Sequence, residues 1–219
     1  MKYLKSHSNL IRWAMHIGAW LPLVVLIVDA IRNNLTFNPI QAATQRTGDT
    51  AIILLGLSLA CSPLSTYLKW KTAIALRRPL GLYAFMYAAI HFWLFIGADY
   101  GYQLNLIVPE FLQKYYLWAG LPAFIILLAL AATSFKWAMR RLGKRWKRLH
   151  RLIYLAALLV VLHLALVIKG DVLRLSGDVW KPLLAGIIIG TLLILRVPWL
   201  RRALLSLRHK PVVPTAVRS

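Results

Sequence analysis

Six apolar stretches, each about 20 residues long, alternate with short polar connectors along the chain. They lie near residues 10–30, 48–68, 79–98, 116–135, 149–168 and 181–199. Because about 20 helical residues cross the roughly 30 Å hydrocarbon core of a bilayer, each stretch predicts one membrane-spanning helix. The pattern predicts an all-α integral membrane protein, a bundle of six transmembrane helices. That bundle occupies residues 1–202 as a single domain.

Basic residues mark one side of this predicted bundle. Of the 27 Lys and Arg residues, 21 fall in the N-terminal segment, the second and fourth connectors and the C-terminal tail, which share one side. The positive-inside rule makes that side cytoplasmic, so both termini are predicted to be cytoplasmic. All acidic residues fall on the other side: Asp29, Asp49, Asp99, Glu110, Asp171 and Asp178. The basic tail 203–219 is predicted to be disordered.

Composition supports the membrane class and excludes others. Hydrophobic residues make up 60% of the 219 positions, and the mean hydropathy is +0.65. The net charge of +21 does not indicate nucleic-acid binding, because the basic residues cluster between apolar stretches rather than on one polar face. The single cysteine, Cys61, excludes an internal disulfide and a cysteine-ligated zinc or iron–sulfur site.

The outer connector 99–115 is long and rich in tyrosine. One interpretation is an interfacial belt, since tyrosine rings favour the headgroup level of a bilayer. The other interpretation is a docking surface for an external partner. Both interpretations stay open at this point.

Two histidines, His91 and His163, lie within the third and fifth apolar stretches. Both stretches run from inside to outside, and each histidine lies a few residues before the outer end. We therefore expect the two imidazoles at one level in the outer half of the bilayer. Neutral imidazoles on facing helices can serve as the two axial ligands of a haem iron. The alternative is a pair of histidines that only hydrogen-bond across helices.

A second, inner level lies 13 residues before each of these histidines, where the chain has Arg78 and His150. His150 is either an inner haem ligand or an interfacial residue, and His16 is another candidate partner for it. Arg77 and Arg78 either anchor the helix at the cytoplasmic face or contact haem propionates, a flavin phosphate or a quinone.

The sequence resembles the MsrQ (YedZ) family of the wider ferric-reductase-like transmembrane group. The resemblance rests on Arg77–Leu82, His91, Leu142–His150 and His163, and it extends from about Leu10 to Arg202. It implies a six-helix b-type cytochrome of the bacterial inner membrane, with one or two haem b groups. His91 and His163 would be haem ligands, with His150 as the third family histidine. FMN and a quinol donor are implied by the resemblance alone.

The resemblance also implies the partners. Electrons would come from the quinone pool or a cytosolic flavin reductase. They would pass to a periplasmic MsrP-like molybdopterin enzyme that reduces methionine sulfoxide in proteins. The chain would then be an electron-transfer subunit rather than the catalytic subunit. Two other functions stay open: a metal-ion reductase of the ferric-reductase type, and a histidine-based transporter without haem.

Overall fold

The computed structural model describes residues 2–168, 170–171, 176–177 and 179–206, and this part of the chain is helical apart from one short β pair. The helices are α1 Lys2–Ile31, α2 Pro39–Tyr67, α3 Thr72–Trp93, α4 Leu104–Gln113, α5 Tyr115–Ala132, α6 Lys136–Leu142, α7 Lys144–Leu149, α8 Ile153–Val167, α9 Trp180–Ile194 and α10 Pro198–Ser206. A π-helical turn, Leu94–Asp99, extends α3, and a 3₁₀ turn, His150–Leu152, joins α7 to α8. Strands β1 Gly170–Asp171 and β2 Ser176–Gly177 pair antiparallel.

Five helical segments are long and apolar enough to cross a membrane. They are Asn9–Ile31, Pro39–Tyr67, Thr72–Asp99, Tyr115–Ala132 and Lys144–Val167. Helices α9 and α10, which meet at a bend of 75°, are long and apolar enough only when taken together, so the described part of the chain has five spans, or six if this bent pair is one span. The prediction of an all-helical integral membrane protein is therefore confirmed.

The sixth predicted stretch, 181–199, differs from the structure because it is not one helix. Helix α9 ends at Ile194, and the chain bends before Pro198 starts α10. Proline has no N–H to donate and disfavours the helical conformation of the residue before it, which accounts for the break. Helix α10 runs past the predicted domain boundary at 202 to Ser206. The rest of the predicted disordered tail lies outside the described residues.

Helix α2 begins at Pro39, about two turns before the predicted start at residue 48. The Asn38 side chain caps it by accepting a hydrogen bond from the Gln41 N–H at 3.1 Å, and Pro39 occupies the first turn, where its missing N–H costs nothing. The hydropathy pattern missed these turns because they carry polar residues. They matter for the site, because they bring Thr44 to the level of His91.

The core lies where α2, α3, α5 and α8 pack together. Leu55, Ala84, Ala156 and Tyr87 are almost completely buried there. Small residues such as the two alanines let helices approach closely, which favours association inside a bilayer. Tyr87 also ties α1 to this core, since its hydroxyl donates to the Ala19 carbonyl at 2.7 Å.

Three cations on the acidic side of the bundle are paired with acids. Arg46 pairs with Asp29, Lys114 with Glu110, and Lys181 with Asp49 at 2.9 Å. The last pair joins α9 to α2, so it also contributes to helix packing. These three basic residues are exceptions to the charge asymmetry of the sequence, and each is neutralised by a local partner.

The outer connector contains a helix, α4, which the sequence analysis did not predict. Its apolar residues Leu104 and Leu112 are exposed, whereas Phe111 stacks on Trp118 of α5 with ring centroids 6.0 Å apart. The Trp118 indole N–H donates to the Phe111 carbonyl at 2.7 Å. Helix α4 is thus fastened to the outer end of α5 and presents apolar side chains outward. The belt and docking interpretations both remain predictions.

The orientation of the bundle can be tested by single-cysteine labelling in intact cells. In a Cys61→Ser background, we expect Asn105→Cys on α4 to react with a membrane-impermeant maleimide and Lys144→Cys to react only after the membrane is opened. Both positions are exposed, so access alone decides the result. The reverse labelling pattern would show that the positive-inside assignment is wrong.

Candidate functional site

His91 and His163 meet in the interior of the bundle. His91 projects from α3 and His163 from α8, and their ring centroids are 6.1 Å apart with the rings nearly perpendicular, at 87°. Both side chains are partly buried. The prediction that these two histidines lie at one level on facing helices is confirmed.

Each imidazole is held by a backbone carbonyl of a neighbouring helix. Nδ1 of His91 donates to the Thr44 carbonyl of α2, and Nδ1 of His163 donates to the Tyr116 carbonyl of α5, both at 2.8 Å. A carbonyl oxygen can only accept, so the hydrogen of each neutral ring lies on Nδ1. Nε2 of each ring then keeps its lone pair. Neither Nε2 has a hydrogen-bond partner among the described residues.

A glycine lies behind each ring. A Cβ atom on Gly48 would lie 3.1 Å from His91 Nδ1, and one on Gly120 would lie 2.6 Å from His163 Nδ1. Real Cβ atoms rarely approach to the first distance and essentially never to the second. Each glycine therefore allows its helix to approach close enough for the carbonyl one turn earlier to accept the imidazole N–H.

These two arrangements form an internal repeat that the sequence analysis missed. In both, the carbonyl and the histidine are 47 residues apart. Thr44, Gly48 and His91 correspond to Tyr116, Gly120 and His163 with one constant offset of 72 residues. Buried residues follow the same offset, since Leu55 corresponds to Leu127 and Ala84 to Ala156. A self-comparison of the sequence at this offset could have detected the repeat.

The neighbours of the two histidines differ in exposure. Trp93 and Leu162, which follow or precede the histidines in sequence, are about half exposed and point away from the core. Phe92, which follows His91 in sequence, stacks on Phe124 at 4.5 Å between centroids, and the Tyr116 ring lies 5.7 Å from that of His163.

At the inner level, His150 contacts Thr133 and Trp146 rather than a second histidine. Its Nε2 lies 3.2 Å from the Thr133 hydroxyl oxygen, and its ring stacks on Trp146 with centroids 4.0 Å apart. Trp146 in turn donates to the Thr133 carbonyl at 2.9 Å. The other candidate partner of His150, His16, hydrogen-bonds Tyr83 at 2.9 Å instead.

The spacing puts Arg78 at the level of His150, and the two neighbouring arginines of this level differ in exposure. Arg78 is exposed, whereas Arg77 is partly buried and lies within electrostatic range of His150. Successive helical residues point about 100° apart, so only one of the two arginines can face the bundle. Arg196, which the sequence analysis counted only among the basic residues of the tail, belongs to the same inner cluster.

The histidine pair is suited to a metal held by a macrocycle. No set of three or more His, Cys, Asp or Glu side chains in the described part of the chain could hold a metal ion. Two imidazoles that share one metal at about 2 Å per bond have ring centroids about 6 Å apart, which agrees with the observed 6.1 Å. A haem needs only these two axial nitrogens from the protein, so the residues present fit it.

Comparison with known proteins gives the family. Residues 47–161, just over half of the chain, match the family described as "Ferric reductase like transmembrane component". The chain is 37% identical over 192 residues to a protein of Herminiimonas arsenicoxydans, covering 87% of this chain and 86% of that one. That relative is named "Protein-methionine-sulfoxide reductase heme-binding subunit MsrQ".

Two further relatives carry the same name. The protein of Deinococcus radiodurans is 41% identical over 178 residues, covering 80% of this chain and 84% of its own length. The protein of Rhodospirillum rubrum is 38% identical over 201 residues, covering 91% and 93%. The chain belongs to the MsrQ family. In this MsrQ-family chain, the histidine pair is built by two segments of the sequence, 44–91 and 116–163. The 72-residue offset relates one segment to the other.

The role of the glycines can be tested by adding one methyl group. Gly120→Ala is expected to destabilise the protein by about 1–3 kcal/mol, because the new Cβ overlaps the His163 ring. Gly48→Ala is expected to cost less, since its contact is longer. The measurement is the thermal unfolding midpoint of each detergent-purified protein, followed by tryptophan fluorescence.

Gly56→Ala on α2 is the matched control, because a Cβ there would contact nothing within 4 Å. Replacing a helical glycine by alanine without a clash favours the helix by roughly 0.5–1 kcal/mol, so the control is expected to be neutral or stabilised. A Gly120→Ala protein as stable as the control would show that the close approach is not required.

Proposed function

We propose that this chain is the haem-binding electron-transfer subunit of a methionine-sulfoxide reductase system in the bacterial inner membrane. The observation that carries the proposal is the pair His91 and His163, whose free Nε2 atoms and 6.1 Å ring separation fit the axial ligation of one haem b. The name shared by the relatives supports it, since each is called the heme-binding subunit of such a reductase.

When bound, the haem iron would accept and release one electron at a time. The chain's own residues prepare the ligands for this. The carbonyls of Thr44 and Tyr116 fix the tautomer and orientation of each imidazole and increase its basicity as a ligand. Gly48 and Gly120 permit that contact, and the aromatic surroundings limit water. If His91 and His163 together held the haem, no open position would remain for a substrate, which would suit electron transfer rather than catalysis.

The charge layout of the bundle and the family resemblance together support a direction of electron transfer. With the basic side cytoplasmic, electrons would enter from the quinone pool or a cytosolic flavin reductase. They would leave from the outer level to a periplasmic MsrP-like molybdopterin reductase. Helix α4, which exposes apolar side chains next to the outer end of α5, is the surface we assign to that partner. The bundle of residues 1–202 would act as one domain, with residues 203–219 as a cytoplasmic tail.

The inner cluster is the proposed place for an additional cofactor. His150, Arg77 and Arg78 would serve a second haem, FMN or quinol, as the family resemblance suggests. His150 has the Thr133 hydroxyl and the Trp146 ring beside it, so a haem bound there would have one protein imidazole within the described part of the chain. This arrangement favours one haem, which His91 and His163 would hold at the outer level.

The axial ligands can be tested by visible absorption spectra of the purified protein, oxidised and reduced with dithionite. We expect a low-spin b-type spectrum in the wild type. His91→Ala and His163→Ala are each expected to lose it or convert it to a high-spin form, because one axial nitrogen is removed. The spectrum of His150→Ala tests for a haem at the inner level. A partial loss of haem absorbance means two haems, and an unchanged spectrum means one.

His16→Ala is the matched control, because this histidine bonds Tyr83 and lies outside the pair. It is expected to keep the full spectrum. A wild-type protein that stays colourless when haem is supplied would overturn the electron-transfer proposal and leave a histidine-based transporter as the stronger candidate.

The second candidate function is a metal-ion reductase. The identity of the final electron acceptor distinguishes it from the proposed function. That candidate is favoured by the match to the ferric-reductase-like family. In an anaerobic cuvette, the reduced protein is expected to reoxidise when a periplasmic molybdopterin methionine-sulfoxide reductase and methionine sulfoxide are added together. Ferric citrate alone is expected to act much more slowly. Faster reoxidation by ferric citrate than by the reductase would favour the metal-ion reductase.

A further inference from the structure

A groove of about 790 Å³, which we call the α1–α3 groove, lies between α1 and α3. Its volume is within the range of roughly 300–1,000 Å³ that is typical of small-molecule sites. Its walls include Trp13, His16, Trp20 and Val24 of α1 and Tyr83 of α3. Trp13, Trp20 and Val24 are about half exposed or more, and all three lie within a membrane-spanning segment. The groove therefore opens to the acyl chains of the bilayer, so its occupant enters from the membrane rather than from water.

His16 brings a polar group into this apolar groove. It lies seven residues after Asn9, where the span begins, which places it about 10 Å from the N-terminal end of the span. Its Nδ1 hydrogen-bonds the Tyr83 hydroxyl at 2.9 Å, and its Nε2 has no partner among the described residues. An ionisable side chain at such a depth is costly and usually marks a functional site. The free Nε2 thus indicates a ligand with a hydrogen-bonding group.

The His16–Tyr83 pair can act toward that ligand either as a donor or as an acceptor. If the Tyr83 hydroxyl donates to Nδ1, the imidazole hydrogen lies on Nε2, which then donates to a carbonyl oxygen. If Nδ1–H donates to the Tyr83 oxygen, Nε2 accepts a hydrogen bond from a hydroxyl group. The pair therefore suits a molecule that carries carbonyl groups in one state and hydroxyl groups at the same positions in another. A quinone and its quinol differ in this way.

The aromatic rings beside the pair suit a flat ring system. The Trp20 and Tyr83 rings lie edge-to-face with centroids 6.2 Å apart, and the His16 and Tyr83 rings do so at 5.7 Å. Aromatic rings attract one another in edge-to-face and offset-stacked arrangements. The groove thus has aromatic rings next to its polar pair and apolar walls beyond them, which matches an aromatic head with a hydrocarbon tail.

A row of side chains on α3 leads from the groove to the histidine pair. Tyr83, Tyr87 and His91 are spaced four residues apart, so they lie along one side of the helix, and the rise from the first to the last is about 12 Å. Tyr87 is almost completely buried. Its hydroxyl donates to the Ala19 carbonyl at 2.7 Å and accepts from the Leu23 N–H at 3.0 Å. An electron donor in the groove would therefore be separated from the histidine pair by packed side chains rather than by water.

We propose that the α1–α3 groove binds the head of a membrane quinol, with His16 and Tyr83 holding one of its oxygen atoms. This assignment rests on the proposed function, because it gives the quinone pool a place to deliver electrons. The groove does not include the inner cluster of Arg77, Arg78 and His150. The alternative occupant of a groove that faces lipid is a phospholipid acyl chain, which would form no hydrogen bond with the free Nε2.

The test measures the binding of a short-tailed quinone, decylubiquinone, to the full-length protein in detergent. Quinones quench tryptophan fluorescence on contact, so binding beside Trp13 and Trp20 is followed as a saturable loss of emission. We expect one saturable site in the wild type. His16→Leu is expected to weaken binding about tenfold, and Tyr83→Phe about threefold or more, because each removes part of the hydrogen-bonding pair. His16→Gln keeps a donor and an acceptor and is expected to recover part of the affinity.

Tyr154→Phe is the matched control, because Tyr154 is also a partly buried tyrosine with a side-chain partner, Arg196, and lies outside the groove. It is expected to change the affinity less than twofold. Equal weakening by Tyr83→Phe and Tyr154→Phe would overturn the assignment. Quenching that rises without saturation would also overturn it, since the quinone would then only dissolve in the detergent and the groove would hold lipid.

The visible spectrum of the same samples separates this assignment from the proposed function. A wild-type protein that contains haem but shows no saturable quenching would overturn the groove assignment alone. A colourless protein with the expected order of quinone affinities would support the groove assignment and overturn the electron-transfer function.

Discussion

The site depends on one type of hydrogen bond, which occurs twice. In each case an imidazole Nδ1–H donates to a carbonyl of a neighbouring helix. Inside a bilayer no water can satisfy a histidine, so the ring must find a partner within the protein. Helical carbonyls already accept one bond, but each has a second lone pair that a close neighbour can use. That use requires two helices to approach closely, which explains why a glycine lies against each ring. The same bond leaves Nε2 available toward the partner histidine.

The outer level is nearly symmetric, because the same contact is repeated at a 72-residue offset. The inner level lacks this symmetry. Thr44 with His91 and Tyr116 with His163 satisfy the same geometry at the same sequence separation. At the inner level the repeat has Arg78 in one half and His150 in the other. Arg78 is exposed, and His150 is occupied by Thr133 and Trp146. The two levels can therefore perform different tasks on one scaffold.

The sequence predicted those parts of the molecule that depend on one helix at a time. Apolar stretches gave the spans, and counting from the helix ends placed His91 and His163 at one level. It failed where a contact depends on neighbouring helices or on a backbone break. The rotation of α3 decides which of Arg77 and Arg78 faces the bundle. The bend before Pro198 decides where the Arg196 side chain lies. The hydropathy pattern did not predict the polar first turns of α2, which contain Thr44.

A cation near the membrane is stabilised by a nearby anion, and the two sides of the bundle differ in where that anion comes from. On the outer side the chain supplies the anions itself, as in the Lys181–Asp49 pair between α9 and α2. On the inner side the described residues form no salt bridge. The +21 net charge is thus concentrated where the counter-charge must come from outside the chain, whether from lipid or from a bound cofactor. By the positive-inside rule, the same asymmetry would place the basic end of the bundle at the cytoplasmic leaflet, where anionic lipid can balance its charge.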